Sequence, residues 1–287
     1  MTARIGISTG GCYDRPIVEV VADVAKAGAA AIEVGTPPGH FNPLQDGEVE
    51  ALDRALRAAS LQPVSIHAPF GGLLDLADPN PRHRHAAVGA VLTAASAIKR
   101  LGGSMVIVHP SDLERHGRDV GVRLADCAES LRLLALNCAA EGVTVALESP
   151  LPHLIGGDPG EFAWLLEHSH ETVRVCLDTG HTALGGHWNE FLRVSGSRLV
   201  HVHVHDNRGH WDDHLPPGEG VIDWAAIAGS LRTADFHGWL MLELSCPGND
   251  RAAYFGRASL RTRELFTRDV AVPGRALDTD HAAGRTP

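Results

Sequence analysis

The segment HVHVHDNRGHWDDHLPPGEG, residues 201–220, concentrates side chains that bind protons and metals. It holds five of the 18 histidines of the chain and four carboxylates. Imidazole and carboxylate groups together suit divalent transition metals. His201, His203 and His205 share one face of a strand, because side chains two positions apart point the same way. The pattern predicts a strand with His203 or His205 near a metal and His201 deeper in the protein.

The chain alternates short β-branched runs with longer alanine- and leucine-rich segments, as βα units with a parallel sheet do. Eight strands are predicted, separated by eight helices. This alternation predicts a single (β/α)₈ TIM barrel over residues 1–270, followed by a flexible tail over 271–287. The strand segments are RIGIST from 4, AAIEVG from 30, PVSIHAP from 63, MVIVHPS from 105, TVALESP from 144, VRVCLDTGH from 173, LVHVHVHDN from 199 and WLMLELS from 239.

Six of these strands share an internal pattern. In each strand, every second side chain is apolar, and these side chains are expected to face the helices. They include Val64 and Ile66 in the third strand and Val200, Val202 and Val204 in the seventh. The other set faces the barrel axis and ends in a metal-capable residue. The carboxyl ends of barrel strands meet at one mouth, so the six residues should converge there. They are His67, His109, Glu148, Asp178, His203 and Glu243.

A metal is the simplest reason for this convergence. A lone inward histidine is usually a hydrogen-bonded core residue, and a lone carboxylate often pairs with a nearby cation. Here three carboxylates would meet with only Arg174 nearby. Their repulsion and desolvation would cost several kcal/mol without a bound cation. Glu33, inward on the second strand, is expected either to support a metal ligand or to satisfy a deeper histidine.

The amino-acid composition weighs against several classes of function. The chain of 287 residues is 44% hydrophobic and has a formal net charge of −10. That charge and the lack of a basic run weigh against nucleic acid as a partner. No apolar run of membrane-spanning length and no secretion leader is visible, which predicts a cytoplasmic protein with no membrane contact. The five scattered cysteines are expected to be buried small hydrophobes rather than a disulfide framework. A homo-oligomer is compatible with the sequence.

The motifs IHAP, VIVHPSD, LES, CLDTGH, HVHDN, DDHLPPGEGVIDW and LEL follow one another in a recognisable order. In this order they resemble the xylose isomerase-like barrel superfamily, over roughly residues 4–268. That superfamily includes sugar phosphate isomerases and epimerases, and also endonuclease IV (AP endonuclease family 2). The resemblance implies two lines of chemistry.

The first line is that of ketose epimerases, which hold one Mn²⁺-type ion. The resemblance assigns this ion to Glu148, Asp178, His203 and Glu243. The metal would stabilise an enediolate while the two glutamates, the expected catalytic pair, remove and return a proton on opposite faces of the sugar. His181 would hold a substrate oxygen and act with them. Further substrate-binding residues implied by this line are Arg208, for a phosphate or hydroxyl, together with His205 and Trp211.

The second line is a trinuclear zinc phosphodiesterase acting on abasic DNA. Its nine ligand positions are all occupied here: His67, His109, Glu148, Asp178, His181, His203, Asp212, His214 and Glu243. A metal-dependent oxidase, lyase or dehydratase on a related small molecule would use the same ligands. The loops after the second and third strands lack the arginine and tyrosine groups that would enter a DNA groove. We therefore favour an isomerase or epimerase of a sugar or sugar phosphate that uses one to three Zn²⁺ or Mn²⁺ ions.

Overall fold

The computed structural model describes residues 4–115, 119–246 and 248–267. Eight parallel strands follow one another in chain order around a barrel that closes between the first and the last strand, as predicted. The predicted tail over 271–287 lies outside the described residues. The strands are β1 Arg4–Ser8, β2 Ala31–Val34, β3 Gln62–His67, β4 Met105–Val108, β5 Thr144–Glu148, β6 Arg174–Asp178, β7 Leu199–Val204 and β8 Trp239–Leu242.

Helices cover the outside of the barrel. They are α1 Ile17–Lys26, α2 Asp46–Ala59, α3 Pro81–Leu101, α4 Val120–Ala140, α5 Pro159–His168, α6 Thr179–Gly185, α7 Trp188–Ser195, α8 Trp224–Thr233 and α9 Arg251–Thr267. The predicted strict alternation fails after β6, where α6 and α7 follow each other. Gly186 ends α6 with a φ of 69°, a left-handed conformation that glycine adopts without steric cost.

Local sequence explains where several helices begin. The Asn80 side chain accepts a hydrogen bond from the Arg82 backbone N–H, and Pro81 opens α3. Asp158 caps α5 in the same way, again with a proline in the first turn. Such caps satisfy donors that the first helical turn leaves unpaired.

Two β-bulges change the predicted side-chain alternation. The register of β2 with β3 skips Val64, and that of β6 with β7 skips Val200. Both valines were expected to face the helices. This prediction was wrong, because the bulged residues pack against interior clusters: Val64 against Ala31 and Met241, and Val200 against the cluster around Ile107. A bulge inserts an extra residue and re-aims the side chains that follow it.

The barrel interior below the mouth is filled with buried side chains. Ile107, Ala146 and Cys176 form a fully buried apolar cluster on three neighbouring strands. Such layers of side chains fill the interior of barrels of this size. Glu33, Ser65 and His201 are buried polar residues of the same interior. Among the described helices, none combines the length and apolar character needed to cross a bilayer.

A disulfide corrects the expectation for the cysteines. Cys12, in the loop after β1, is bonded to Cys246, in the loop after β8, with 5.1 Å between their Cα atoms. Cys127, Cys138 and Cys176 are free and buried, as predicted. No spacing motif marks this pair, because 234 residues separate its members. Closure of the barrel brings the two loops together.

We expect loss of this bond to destabilise the protein. Substituting Cys12→Ser should lower the free energy of unfolding by roughly 2–5 kcal/mol, because the bond restricts the unfolded chain. Thermal melts of oxidised and reduced wild-type protein should differ by several degrees, whereas the variant should not respond to reductant. Identical melting temperatures for the oxidised and reduced wild type would contradict this expectation.

Candidate metal centre

The six strand-end residues predicted to converge do lie at the mouth. His67, Glu148 and Asp178 are the last residues of β3, β5 and β6, and His203 is the last but one of β7. The remaining two, His109 and Glu243, directly follow β4 and β8. Their donor atoms fall into groups whose members lie within 4.8 Å of one another. The parallel strands thus bring all six side chains together, and four of them, His67, His109, Glu148 and Glu243, line the cavity at the mouth.

The first group contains Glu148, Asp178, His203 and Glu243. Its centre is the Nδ1 atom of His203, which lies 3.0 Å from Oε1 of Glu148, 3.2 Å from Oε2 of Glu243 and 3.9 Å from Oδ2 of Asp178. His203 and Asp178 are completely buried. One imidazole nitrogen therefore faces three carboxylates that water barely reaches.

The second group adds His67 and His109 to Glu148. Oε2 of Glu148 lies 3.1 Å from Nε2 of His67 and 3.2 Å from Nε2 of His109. Because its other oxygen contacts His203, Glu148 belongs to both groups. A carboxylate shared in this way can bridge two cations.

The third group contains His181, His205, Asp212 and His214. Oδ2 of Asp212 lies 3.1 Å from Nε2 of His181 and 3.0 Å from Nε2 of His214. His205 was expected to bind substrate; it is instead completely buried, and its Nε2 lies 2.9 Å from Oδ2 of Asp178. A Cβ on Gly180 would collide with the His205 ring, so this close packing requires glycine.

Buried Asp206 fixes the loop that carries Asp212 and His214. Its carboxylate accepts hydrogen bonds from the indole Nε1–H of Trp224 at 2.8 Å and from the backbone N–H groups of Gly218 and Ile222. Its backbone also pairs with Leu215. The loop that contributes Asp212 and His214 to the third group is thus held in place by internal hydrogen bonds.

Two predicted substrate-binding residues lie away from the cavity lining. Arg208 is largely exposed and pairs with Asp213, with 3.2 Å between Nη1 and Oδ1. Trp211 is 78% exposed. Neither is among the residues that line the cavity. Arg208 pairs with Asp213 because a turn of the chain brings the two residues together. Residue spacing in the sequence does not show this turn, so it could not distinguish a paired Arg208 from a substrate-binding one.

The cavity above the three groups has a volume of about 520 Å³ and largely apolar walls. Phe70, which our sequence reasoning missed, stacks on His109 with 4.1 Å between ring centroids. Leu74, Leu151 and Leu154 continue the wall, and the loop residue Tyr13 also lines it. Among the described residues that line the cavity, none is a lysine or an arginine. Its polar groups are therefore concentrated on the floor, at the clustered ligands.

Opposite charges shift the pKa values on this floor. Burial would raise the pKa of Glu243, but the charge and hydrogen bond of His203 together with the charge of His214 lower it to about 2. Burial would lower the pKa of His214, but its hydrogen bond to Asp212 and the neighbouring carboxylate charges together raise it to about 9. His181 behaves like His214: Asp178 and Asp212 overcome burial and hold its pKa well above the usual range. Without a metal, protons on these imidazoles balance the carboxylates.

The donor set fits divalent metal ions. Each group offers imidazole nitrogens and carboxylate oxygens, which Zn²⁺ and related ions accept at about 2.0–2.2 Å. The donor atoms of each group are close enough to share one ion. Oδ1 of Asp212 is buried and has no hydrogen-bond partner among the described residues, which leaves it free to act as a ligand.

Fold and site define a (β/α)₈ barrel with a histidine- and carboxylate-lined mouth. The chain belongs to the xylose isomerase-like TIM barrel family, whose profile matches residues 21–265.

The barrel superimposes on a D-tagatose 3-epimerase-like protein with a TM-score of 0.80 and 22% identity, over 92% of this chain and 98% of the other. It is 26% identical over 281 residues to an uncharacterized protein of Sinorhizobium fredii, y4fM, covering 88% of this chain and 90% of the relative. It is 25% identical over 205 residues to a probable endonuclease 4 of Thermoplasma acidophilum, covering 64% and 68%.

We expect metal binding to release protons. Burial would lower the pKa of His203, but its negatively charged neighbours, among them Glu148 and Glu243, together raise it well above the usual range. At pH 7 this imidazole is therefore protonated in the metal-free protein, whereas a metal requires the neutral imidazole. The apparent affinity for Zn²⁺ should rise with pH over the range in which His203 is protonated. Calorimetric titrations at pH 7 in two buffers of different ionisation enthalpy measure the released protons. Binding heats that do not depend on the buffer would show that His203 is not a ligand.

Proposed function

We propose that the protein is a divalent-metal-dependent isomerase or epimerase of an unphosphorylated sugar or polyol. The observation that carries this proposal is the approach of two glutamates from separate parts of the barrel. Glu148 on β5 and Glu243 beyond β8 both lie within 3.2 Å of the same nitrogen of His203. Because β5 and β8 are three positions apart in the barrel, the two carboxylates can address opposite faces of a substrate carbon.

Glu148, Asp178, His203 and Glu243 would hold the ion. When bound, a Zn²⁺ or Mn²⁺ ion would supply Lewis acidity at the carbonyl and hydroxyl oxygens of the sugar. The solved D-tagatose 3-epimerase-like structure has the same overall fold, which is compatible with this assignment.

In this proposal the two glutamates transfer the protons. Glu243 lines the cavity, so its carboxylate could accept a proton from the carbon next to the carbonyl. Glu148 would deliver to the other face a proton that it receives from His67, whose Nε2 lies 3.1 Å from Oε2 of Glu148, while Glu243 would release its proton to the cavity that it lines. His181, the third predicted catalytic residue, lines the cavity and would hold a substrate oxygen. Its Nδ1 donates to the backbone carbonyl of Ser149 at 3.0 Å, which orients the ring.

The side chains that line the cavity favour a sugar without a phosphate group. A phosphate group carries two negative charges, and proteins usually bind it with arginine, lysine or a helix N-terminus. The described cavity lining offers no lysine or arginine and already contains several carboxylates. A neutral substrate avoids that repulsion and can place its C–H faces against Phe70 and the leucines.

Removing either proton-transferring group should abolish turnover. We expect Glu148→Gln and Glu243→Gln each to reduce kcat for ketose epimerisation by about 10²–10⁴-fold. Exchange of substrate C–H for solvent deuterium, followed by NMR on a panel of free ketoses, measures the step directly. Glu171→Gln is a matched control, since this exposed carboxylate precedes β6 at the opposite end of the barrel. Undiminished exchange in both active-site variants would refute the assigned roles.

A trinuclear zinc phosphodiesterase is the second candidate. The observation that favours it is the completeness of the second and third ligand groups, which a one-metal epimerase does not need. The similarity to a probable endonuclease 4 points the same way. The lack of cationic side chains in the described cavity lining and the net charge of −10 oppose binding of DNA.

Metal stoichiometry distinguishes the two candidates. Elemental analysis after loading with Mn²⁺ or Zn²⁺ and desalting should find one tightly held ion per chain for the epimerase. An abasic-site DNA duplex should then remain intact. Three retained zinc ions together with cleavage of that duplex would replace the first proposal with the second.

A further inference from the structure

A completely buried carboxylate lies directly beneath the proposed metal centre. Glu33, on β2, has no exposed surface. Its Oε1 lies 3.1 Å from Nε2 of His203, and its Oε2 lies 3.2 Å from Nε2 of His201. The hydroxyl of Ser65 donates a hydrogen bond of 2.6 Å to Oε2. Glu33 therefore contacts a predicted metal ligand from the side away from the cavity.

Both β-bulges of the barrel direct side chains toward Glu33. The bulge at Val64 is followed by Ser65, which is paired with Glu33 across the β2–β3 ladder. The bulge at Val200 is followed by His201. Bulges are frequent beside active sites because they re-aim the next side chain. Two independent irregularities of the sheet thus supply partners to one carboxylate.

The contacts of His203 define which ring nitrogen can bind a metal. Both ring nitrogens face carboxylates, which accept hydrogen bonds when ionised: Nε2 lies 3.1 Å from Oε1 of Glu33, and Nδ1 lies 3.0 and 3.2 Å from Glu148 and Glu243. A metal held by Glu148 and Glu243 would need the lone pair of Nδ1, so the neutral ring would keep its proton on Nε2, facing Glu33. A ligand histidine commonly donates its second N–H to a carboxylate, which fixes the tautomer and the ring orientation.

We propose that Glu33 is a positioning residue that holds His203 in the Nε2–H tautomer and so prepares its Nδ1 atom for the metal. Ser65 and His201 occupy the other carboxylate oxygen and keep Glu33 in place. This inference rests on the metal centre of the proposed function but not on the reaction carried out there. It also explains why the barrel interior tolerates a buried carboxylate with no lysine or arginine contacting it among the described residues.

Cys176 does not compete with this assignment. It lies beside His201 and His203, so these three could be regarded as a separate metal group. Burial raises the pKa of the Cys176 thiol well above its ordinary value, and a protonated thiol is a poor ligand. The nitrogen of His203 on this side is, in addition, already directed at Glu33.

The test measures metal affinity without any substrate. In Glu33→Gln the side chain keeps its shape, but its amide N–H can donate to Nε2 of His203 and favour the Nδ1–H tautomer, which cannot bind the ion. We expect the Kd for Zn²⁺ or Mn²⁺, measured by competition with a chelating dye, to rise about 10–100-fold. Ser65→Ala is the matched control, because it removes a partner of Glu33 but keeps the contact with His203; its Kd should stay near that of the wild type.

The tautomer provides a second readout that needs no variant at Glu33. Long-range ¹H–¹⁵N spectra of the Zn²⁺-loaded wild type, with His203 assigned by comparison with His203→Gln, should show the proton on Nε2. A proton on Nδ1, or an unchanged Kd in a folded Glu33→Gln protein, would overturn the inference. If Glu33→Gln fails to fold, the wild-type tautomer decides. A weaker Kd in a protein that epimerises no sugar would leave this inference intact and count only against the proposed reaction.

Discussion

The arrangement of the mouth depends on one buried carboxylate. Glu148 is 1% exposed and lies within 3.2 Å of nitrogens from His67, His109 and His203. A carboxylate removed from water is costly unless positive charge compensates it. In this protein the compensation comes from imidazoles, which are positive only while protonated, and not from lysine or arginine. A divalent ion would compensate the same charge and release the imidazoles to act as neutral ligands.

The rest of the barrel positions groups around this charge. Parallel strands bring their carboxyl ends to one side, and apolar packing around Ile107 fills the interior beneath them. Hydrogen bonds to Asp206 hold the loop that carries Asp212 and His214. The disulfide between Cys12 and Cys246 joins the loop after β1 to the loop that begins at Glu243. A bound metal would require its ligands to be placed to within a few tenths of an ångström. Each of these interactions limits the movement of a predicted ligand.

The sequence predicted the features that follow from periodicity. The alternation of strand and helix segments identified the barrel. The two-residue repeat within the strands identified the six inward residues such as Glu148 and His203, because side-chain direction in a strand follows from position alone. It could not identify the bulges at Val64 and Val200, since a bulge depends on the register with the neighbouring strand. The stacking of Phe70 on His109, the pairing of Arg208 with Asp213 and the disulfide likewise depend on how loops meet in space.

The central claim is that side chains from different strands share a cation at the mouth. Anomalous diffraction from a crystal soaked in Mn²⁺ or Zn²⁺ tests it most directly. We predict an anomalous peak among Glu148, Asp178, His203 and Glu243, at about 2.0–2.2 Å from Nδ1 of His203. Peaks confined to the outer surface, with the histidines and glutamates of the mouth still hydrogen-bonded to one another, would contradict the account.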